Sequence, residues 1–124
     1  MLVYIIGCDE HGIRLRGGTP TEGRVEICQG GRWGTICWDL WDTRDAQVVC
    51  RELGYENNSA IGILAYGGGS GAIHRDYVNC SGAEASLSEC PVCMGCSFHP
   101  HPDCNHSHDV GVSCFPQGST SWLL

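Results

Sequence analysis

The ten cysteines of this 124-residue chain constrain its fold more than any other feature. The length allows one domain, but the 42% of hydrophobic residues includes these cysteines, and 18 glycines add to the entropy that folding must overcome. Long-range disulfides would supply the missing stability, at about 3 to 5 kcal/mol each from the entropy of loop closure. We therefore expect an oxidised, disulfide-rich domain from an extracellular compartment.

Cysteines can instead serve as metal ligands inside cells. A zinc or iron–sulfur protein needs paired C-x-x-C motifs, and this chain has one cluster, Cys90, Cys93 and Cys96, followed by Cys104. An intracellular metal protein predicts free thiols and bound metal, whereas the disulfide interpretation predicts neither. A redox role for the C-M-G-C segment is a weaker alternative, because no β–α–β pattern surrounds it.

Local patterns predict a strand-rich first half with one helix. Residues 13–16 and 24–27 alternate between apolar and polar, as in half-buried strands, and residues 17–20 break the first strand. A turn at Gln29-Gly30-Gly31 then leads to a partner strand at residues 32–37. Asp42 is a natural N-cap and Gly54 a natural C-terminal residue, so the main helix begins at Asp42 and ends at Gly54. Its apolar stripe is Ala46, Val49, Cys50 and Leu53.

The second half predicts shorter elements. Strands are expected at residues 61–65, 73–78 and 110–114, separated by glycine-rich or proline-containing loops. The segment from Ser81 to Glu84 is a capping-box pattern and predicts a one-turn helix through Leu87 to Cys90. The chain shows no internal repeat and no second domain.

An ordered series of motifs between Ile13 and Cys114 resembles one family. The series is IRLRGG, EGRVEI, RWGTIC, WD, DAQVVCRELG, YGGGSGAI, VNCSGAEASLSEC and HDVGVSC. It resembles the scavenger receptor cysteine-rich domain, in the six-cysteine subgroup with four extra cysteines. The resemblance implies an α+β fold in which a curved antiparallel sheet cradles the main helix. It also implies a leader at 1–12, the domain at 13–114 and a tail at 115–124.

The resemblance implies part of the disulfide pattern, which spacing alone leaves open. The implied pairs are Cys37 with Cys104, Cys50 with Cys114, and Cys80 with Cys90. The remaining cysteines depart from the family pattern, and we hypothesise that Cys8 pairs with Cys28 and Cys93 with Cys96.

The resemblance also implies a cation site built from acidic loop residues. It maps to Asp39, Asp76 and Asp103, and carboxylate oxygens suit calcium, which takes six to eight oxygen ligands. The family has acids at three positions that are occupied here by Trp38, Tyr77 and His108. We therefore expect one of the family's two cation sites to be lost. The alternative is that Asp39 and Asp76 are ordinary surface acids.

The charged residues indicate the ligand class. All seven basic residues are arginines, six of them in the first 51 residues, and the net charge of −7 argues against nucleic acid as the partner. The family associates a GRVEVxxxxxW pattern with bacterial and polyanionic surfaces, and the segment from GRVEI to Trp33 resembles it. Alternation places Arg24 and Glu26 outward, so much of the pattern is a strand requirement. We expect ligand contacts from Arg24, Arg32 and a half-exposed Trp38.

After residue 51 the chain has one arginine against seven acids, and this acidic half holds most of the histidines and all three sequons. The histidines could gain charge in an acidic compartment or bind a transition metal, or they could be solvated loop residues. They are His74, His99, His101, His106 and His108. The N-glycosylation sequons, which fit a secreted glycoprotein, are at Asn57, Asn79 and Asn105.

The sequence therefore predicts an extracellular ligand-binding module, secreted or part of a membrane receptor. It would recognise microbial polysaccharide, another polyanion or an extracellular protein, with calcium assisting. The chain has no G-x-S-x-G or H-E-x-x-H motif, so we expect no catalysis. The alternative is an accessory docking module of an extracellular enzyme, such as a protease or an amine oxidase. No apolar run is long enough for a membrane span or a signal peptide, so we expect no membrane insertion and a domain of a longer protein.

Overall fold

The computed structural model describes residues 7–55, 59–92 and 103–116. Six strands and one α-helix follow one another in this part of the chain. They are β1 Ile13–Thr19, β2 Glu22–Gln29, β3 Arg32–Ile36, α1 Thr43–Glu52, β4 Ile61–Ile63, β5 Ala72–Arg75 and β6 Gly111–Ser113. Short 3₁₀ turns lie at Leu87–Glu89 and His106–His108.

Strand β2 organises the sheet, because it pairs with β1, β3 and β6. The main order is β4-β6-β2-β3-β5, and α1 packs against β4 and β6. This confirms the α+β class and the curved sheet that cradles a helix. One pair differs from the expected antiparallel arrangement: β5 runs parallel to β3. A parallel neighbour needs a long crossover, and the chain between the two strands supplies it with α1.

The helix has the termini that its sequence predicts. The Asp42 carboxylate accepts the backbone N–H of Arg44 at 2.9 Å, and the Asp45 carboxylate accepts that of Asp42 at 2.7 Å, which completes a capping box. At the other end Leu53 is the C-cap and Gly54 has φ +96°, a conformation that glycine adopts without strain. Burial raises the pKa of the Asp45 carboxyl to about 7, against the opposing effect of N–H bonds from Cys80 and Asp42.

Disulfides close the interior on several sides. The core joins Val25, Ile36 and Val112 of the sheet to the buried face of α1. The structure forms four of the five expected bridges: Cys8–Cys28, Cys37–Cys104, Cys50–Cys114 and Cys80–Cys90. The fifth proposed pair, Cys93 with Cys96, lies outside the described residues. No unpaired thiol occurs in the described ranges, which is the arrangement that the disulfide interpretation requires.

Two local predictions were wrong. Strand β1 does not break at Gly17 but continues to Thr19 with a register shift after Arg16, because Gly17 takes a positive φ of 83°. The capping-box pattern starts no helix. The Glu84 carboxylate does accept the N–H of Ser81 at 2.9 Å, but it accepts that of Gly82 as well, and the 3₁₀ turn begins only at Leu87.

Candidate functional site

Four charged side chains share one face of the β1–β2 pair, which we call the arginine face: Arg14, Arg16, Arg24 and Glu26. In the antiparallel register Arg14 lies opposite Glu26, and Arg16 lies opposite Arg24. Because side chains alternate between the two faces of a strand, residues two apart point the same way. The opposite side of β2 supplies Val25 and Ile27 to the core.

Glu26 is the centre of the arginine face. Its carboxylate accepts Arg14 Nε at 2.9 Å and Arg24 Nε at 3.1 Å, and each guanidinium has a second nitrogen within 3.0 Å. Glu26 lies on the outward face that alternation predicts, but it is not exposed to solvent there, since only 7% of this residue is accessible. Two guanidinium groups cover the carboxylate. Arg14 is fixed further by the Trp33 ring, whose centroid is 4.1 Å from its guanidinium carbon.

The three arginines line an open concavity of about 590 Å³, whose other wall is the glycine-rich loop at residues 67–71. Arg24 Nη1 lies 3.5 Å from the Gly67 carbonyl oxygen. A Cβ on Gly69 would lie 2.9 Å from Arg24 Nε and 3.0 Å from Thr35 Cγ2, so a larger residue would displace the Arg24 side chain. Arg16 is exposed at the edge of the concavity. Two positive charges therefore remain after Glu26 has neutralised one of the three.

Arg32 does not belong to this face. It pairs with Gln29 beside the β2–β3 turn, five residues along β2 from Arg24, which is about 17 Å at the rise of a strand. Arg32 is exposed there, and its carbonyl oxygen lies 2.9 Å from His74 Nε2. The structure thus separates the two predicted ligand arginines. Sequence reasoning overlooked Arg14 and Arg16, although their period-two spacing matched that of Arg24 and Glu26.

Asp39 and Asp76 meet at a second location. We call it the acidic corner, and it also includes Trp38, Tyr77 and His108. Asp76 is 1% exposed, and its Oδ1 accepts the backbone N–H of Tyr77 at 2.9 Å and that of Asp39 at 3.3 Å. Desolvation, then the charges of Asp39 and Asp76, raise the pKa of the Tyr77 hydroxyl. Two of the three predicted cation ligands are thus adjacent.

The acidic corner offers a cation oxygen atoms rather than sulfur. The candidate ligand atoms of Asp39, Asp76, Cys37 and Cys104 lie within 4.8 Å of one another, but the two sulfurs form a disulfide. The Cys104 sulfur lies 3.2 Å from Asp76 Oδ2 and has no proton to donate. Asp103 is outside this group in the described part of the chain. Two hard-oxygen carboxylates fit the chemistry of calcium, with the remaining ligands to be supplied by water.

Trp38 and His108 stack on each other beside this pair. Their ring centroids are 4.2 Å apart at an interplanar angle of 14°. Trp38 is 39% exposed, as its predicted role as a ligand anchor requires, and the neighbouring Leu40 is also exposed. The resemblance implies acids at the two stacked positions. An aromatic pair therefore takes the place of two carboxylates at this corner.

The described histidines of the acidic half each have a partner. His74 contacts a carbonyl oxygen, His106 contacts Asp109, and His108 stacks on Trp38, so these three are not simply solvated. His99 and His101 lie outside the described residues, as does the sequon at Asn57. Asn79 and Asn105 are exposed.

The sequence profile of the scavenger receptor cysteine-rich domain matches residues 15–115, and the chain belongs to this family. Galectin-3-binding protein of Pongo abelii is 46% identical over 110 residues, which is 87% of this chain and 18% of that protein. The Mus musculus protein of the same name gives the same values. The chain thus spans less than a fifth of the length of these relatives.

Solved structures agree with this assignment. The third SRCR domain of murine neurotrypsin has a TM-score of 0.75 at 42% identity, over 83% of this chain and 94% of that one. The dimeric form of the SRCR domain of mouse MARCO has a TM-score of 0.66 at 44% identity, over 82% and 92%. The chain is therefore an extracellular ligand-binding module of a secreted or membrane protein. Among the described residues, no helix has the length and apolarity to cross a membrane.

Proposed function

We propose that this domain binds polyanions, such as sulfated or microbial polysaccharides, through the arginine face. The observation that carries the proposal is the convergence of Arg14, Arg16 and Arg24 on one concavity around a single carboxylate. Guanidinium groups bind sulfate and carboxylate through paired N–H donors, and here the Glu26 bonds hold two of them in fixed orientations. Binding rather than catalysis is the role that such a surface supports.

The negative charge of the rest of the molecule favours polyanion binding at the arginine face. The chain carries a net charge of −7, so a polyanion is repelled by most of the surface and attracted where arginines outnumber acids. The shape of the site is set by paired strands and not by a mobile side chain alone. A polysaccharide could therefore bind without the cost of ordering the site.

Heparin, a sulfated polysaccharide, is a suitable probe. We expect Arg16→Ala to weaken heparin binding about tenfold, which corresponds to about 1.4 kcal/mol, and to lower the dependence of affinity on salt. Arg44→Ala is the matched control, because Arg44 is an exposed arginine that pairs with Asp42 at the start of α1. Arg32→Ala tests the other predicted contact. A larger loss at Arg32 or Arg44 than at Arg16 would contradict the assignment of the arginine face.

Calcium binding at the acidic corner is a second candidate property, supported by the contact between Asp39 and Asp76. These two carboxylates would hold the ion, and Asp103 would have to contribute from the neighbouring loop. Bound calcium would supply a positive charge on an otherwise acidic surface. We expect millimolar calcium to raise the melting temperature relative to chelator, through linkage. Asp39→Asn should remove this shift, and Asp9→Asn, at an acid of the leader, should not.

A further inference from the structure

We propose that His106 is a positioning residue for the arginine face. It fixes the glycine-rich loop at residues 67–71 against Arg24 only while both of its ring nitrogens carry protons, so polyanion affinity falls as the pH rises. The inference rests on the proposed function, since the loop is one wall of the concavity assigned to the ligand. It assigns a regulator to that site and not a new ligand.

The hydrogen bonds of His106 require its charged form. Nδ1 lies 2.8 Å from Asp109 Oδ2, and Nε2 lies 2.9 Å from the Gly71 carbonyl oxygen. Both partners are acceptors. A neutral imidazole has one N–H and can satisfy only one of them, whereas the imidazolium ion donates to both. The geometry of this ring therefore belongs to the doubly protonated histidine.

His106 holds the loop at two points. It binds the Gly71 carbonyl directly, and it binds Asp109, whose Oδ2 also accepts the Gly69 N–H at 2.7 Å. The Asp109 side chain is fully buried, so its oxygens depend on donors of the protein for their hydrogen bonds. Loss of one His106 proton would remove a donor either from the loop or from this buried carboxylate.

The loop in turn fixes Arg24. Gly69 packs against the guanidinium so closely that a Cβ would be 2.9 Å from Nε, and the Gly67 carbonyl oxygen is 3.5 Å from Nη1. Release of the loop would remove one wall of the concavity and would leave Arg24 held by Glu26 alone. A ligand would then have to order the loop, which lowers its affinity.

The groups that face His106 come from each neighbouring element. Asp109 faces it from the chain before β6, Arg24 from β2, the Thr35 hydroxyl from β3 and the Gly71 carbonyl from the loop. Partial burial lowers the pKa of His106, but the bonds to Asp109 and Gly71 and the charge of Asp109 outweigh burial and the repulsion from Arg24. The pKa is thus raised. Both His106 hydrogen bonds are therefore present below the ordinary histidine pKa of about 6.5, and one of them is lost as the pH rises through the raised pKa.

The test compares heparin affinity from about pH 5.5 to about pH 8.5 with the titration of the His106 ring followed by NMR. We expect the wild-type affinity to fall about fivefold or more across the ring titration, at the lower end of typical coupling between sites. His106→Gln should flatten this change. His74→Gln is the matched control, because His74 also contacts a carbonyl oxygen, that of Arg32 beside the β2–β3 turn and away from the glycine-rich loop. This variant should keep the wild-type pH profile.

Each outcome addresses a separate claim. Wild-type heparin affinity that stays constant while His106 titrates would overturn the positioning role of His106 and leave the proposed function of the arginine face intact. Heparin affinity that Arg16→Ala leaves unchanged would overturn the arginine face, and the Gly69 and Gly71 amide signals would still report whether the loop follows the His106 titration. If His106→Gln does not fold, these wild-type NMR signals decide: a ring that titrates without a change at Gly69 contradicts the proposal.

Discussion

The arginine face and the acidic corner reach their charge clusters by different routes. The arginine face is built on paired strands, where Arg14 and Arg16 oppose Glu26 and Arg24 in a regular register. The acidic corner brings Asp39 and Asp76, 37 residues apart in the chain, together beside the Cys37–Cys104 bridge. The first site depends on hydrogen bonds within a sheet, and the second on a disulfide that closes a long loop.

The arginine face and the acidic corner should therefore differ in how easily a substitution disrupts them. Strand pairing orders the three arginines locally, although the glycine-rich loop that walls their concavity is held by His106, which lies between the bridged Cys104 and His108 of the acidic corner. Tyr77 of the acidic corner and the adjacent Leu40, which follow Asp76 and Asp39 in the chain, both have positive φ. Such conformations persist only where the surroundings hold them. We therefore expect the corner to be the more easily disrupted region.

The largest effect should come from removing the Cys37–Cys104 bridge with the double variant Cys37→Ala and Cys104→Ala. The bridged residues are 67 apart, and the entropy of loop closure predicts a loss of about 4 kcal/mol in the free energy of unfolding. Urea unfolding measures this loss. We also expect the calcium shift to disappear, while heparin binding of the folded fraction weakens without being lost, because strand pairing keeps the arginines in place but His106, two residues after Cys104, is less firmly held.

The Cys80–Cys90 bridge provides the control for that variant. Its cysteines are 10 apart, so the double alanine variant should lose about 3 kcal/mol and keep the calcium response. If both variants lost the calcium response equally, the acidic corner would depend on global stability and not on its own bridge. Complete loss of heparin binding in the folded Cys37/Cys104 variant would show that strand pairing alone does not order the arginines.

Glu26→Gln should change stability and affinity in opposite directions. It leaves two guanidinium groups without their buried carboxylate, which we expect to cost about 2 kcal/mol of unfolding free energy. It also adds one unit of positive charge to the concavity, so heparin affinity at low salt should rise. Glu22→Gln is the control on the same strand, because Glu22 accepts a hydrogen bond from Tyr66 and not from an arginine. Weaker heparin binding by Glu26→Gln would contradict our account of the charge balance.

The sequence predicted the elements whose determinants are local. The Asp42–Asp45 capping box and Gly54 defined the helix, period-two alternation predicted β1 and β2, and the Gln29-Gly30-Gly31 turn predicted β3. The same alternation gave the correct face for Glu26 but not its burial, because burial depends on Arg14, which pairs from another strand. The parallel contact of β5 with β3 could not be read either, since nothing local in residues 72–75 specifies which strand they join.

The candidate sites likewise depend on contacts that the local sequence does not specify. The resemblance supplied Asp39 and Asp76 as neighbours, and the structure brings them together. It gave no indication that Trp38 and His108, which replace acids of the family, would stack on each other. Arg24 and Arg32 belong to one sequence pattern but lie at opposite ends of a hairpin. Contacts between distant segments are what the sequence alone left undetermined.

The smallest expected effect tests whether the aromatic stack displaced a cation site. The double variant Trp38→Asp and His108→Glu places carboxylates where the family has acids, beside Asp39 and Asp76. We expect calcium to stabilise this variant more than wild type, by about 1 kcal/mol when its concentration is about five times the dissociation constant. Trp38→Asn with His108→Gln is the control, because it removes the stack without adding charge. Equal calcium responses in the two variants would mean that the stack did not replace cation ligands, and a response confined to the acidic variant would show that two side chains decide whether this corner binds a second ion or presents an aromatic surface.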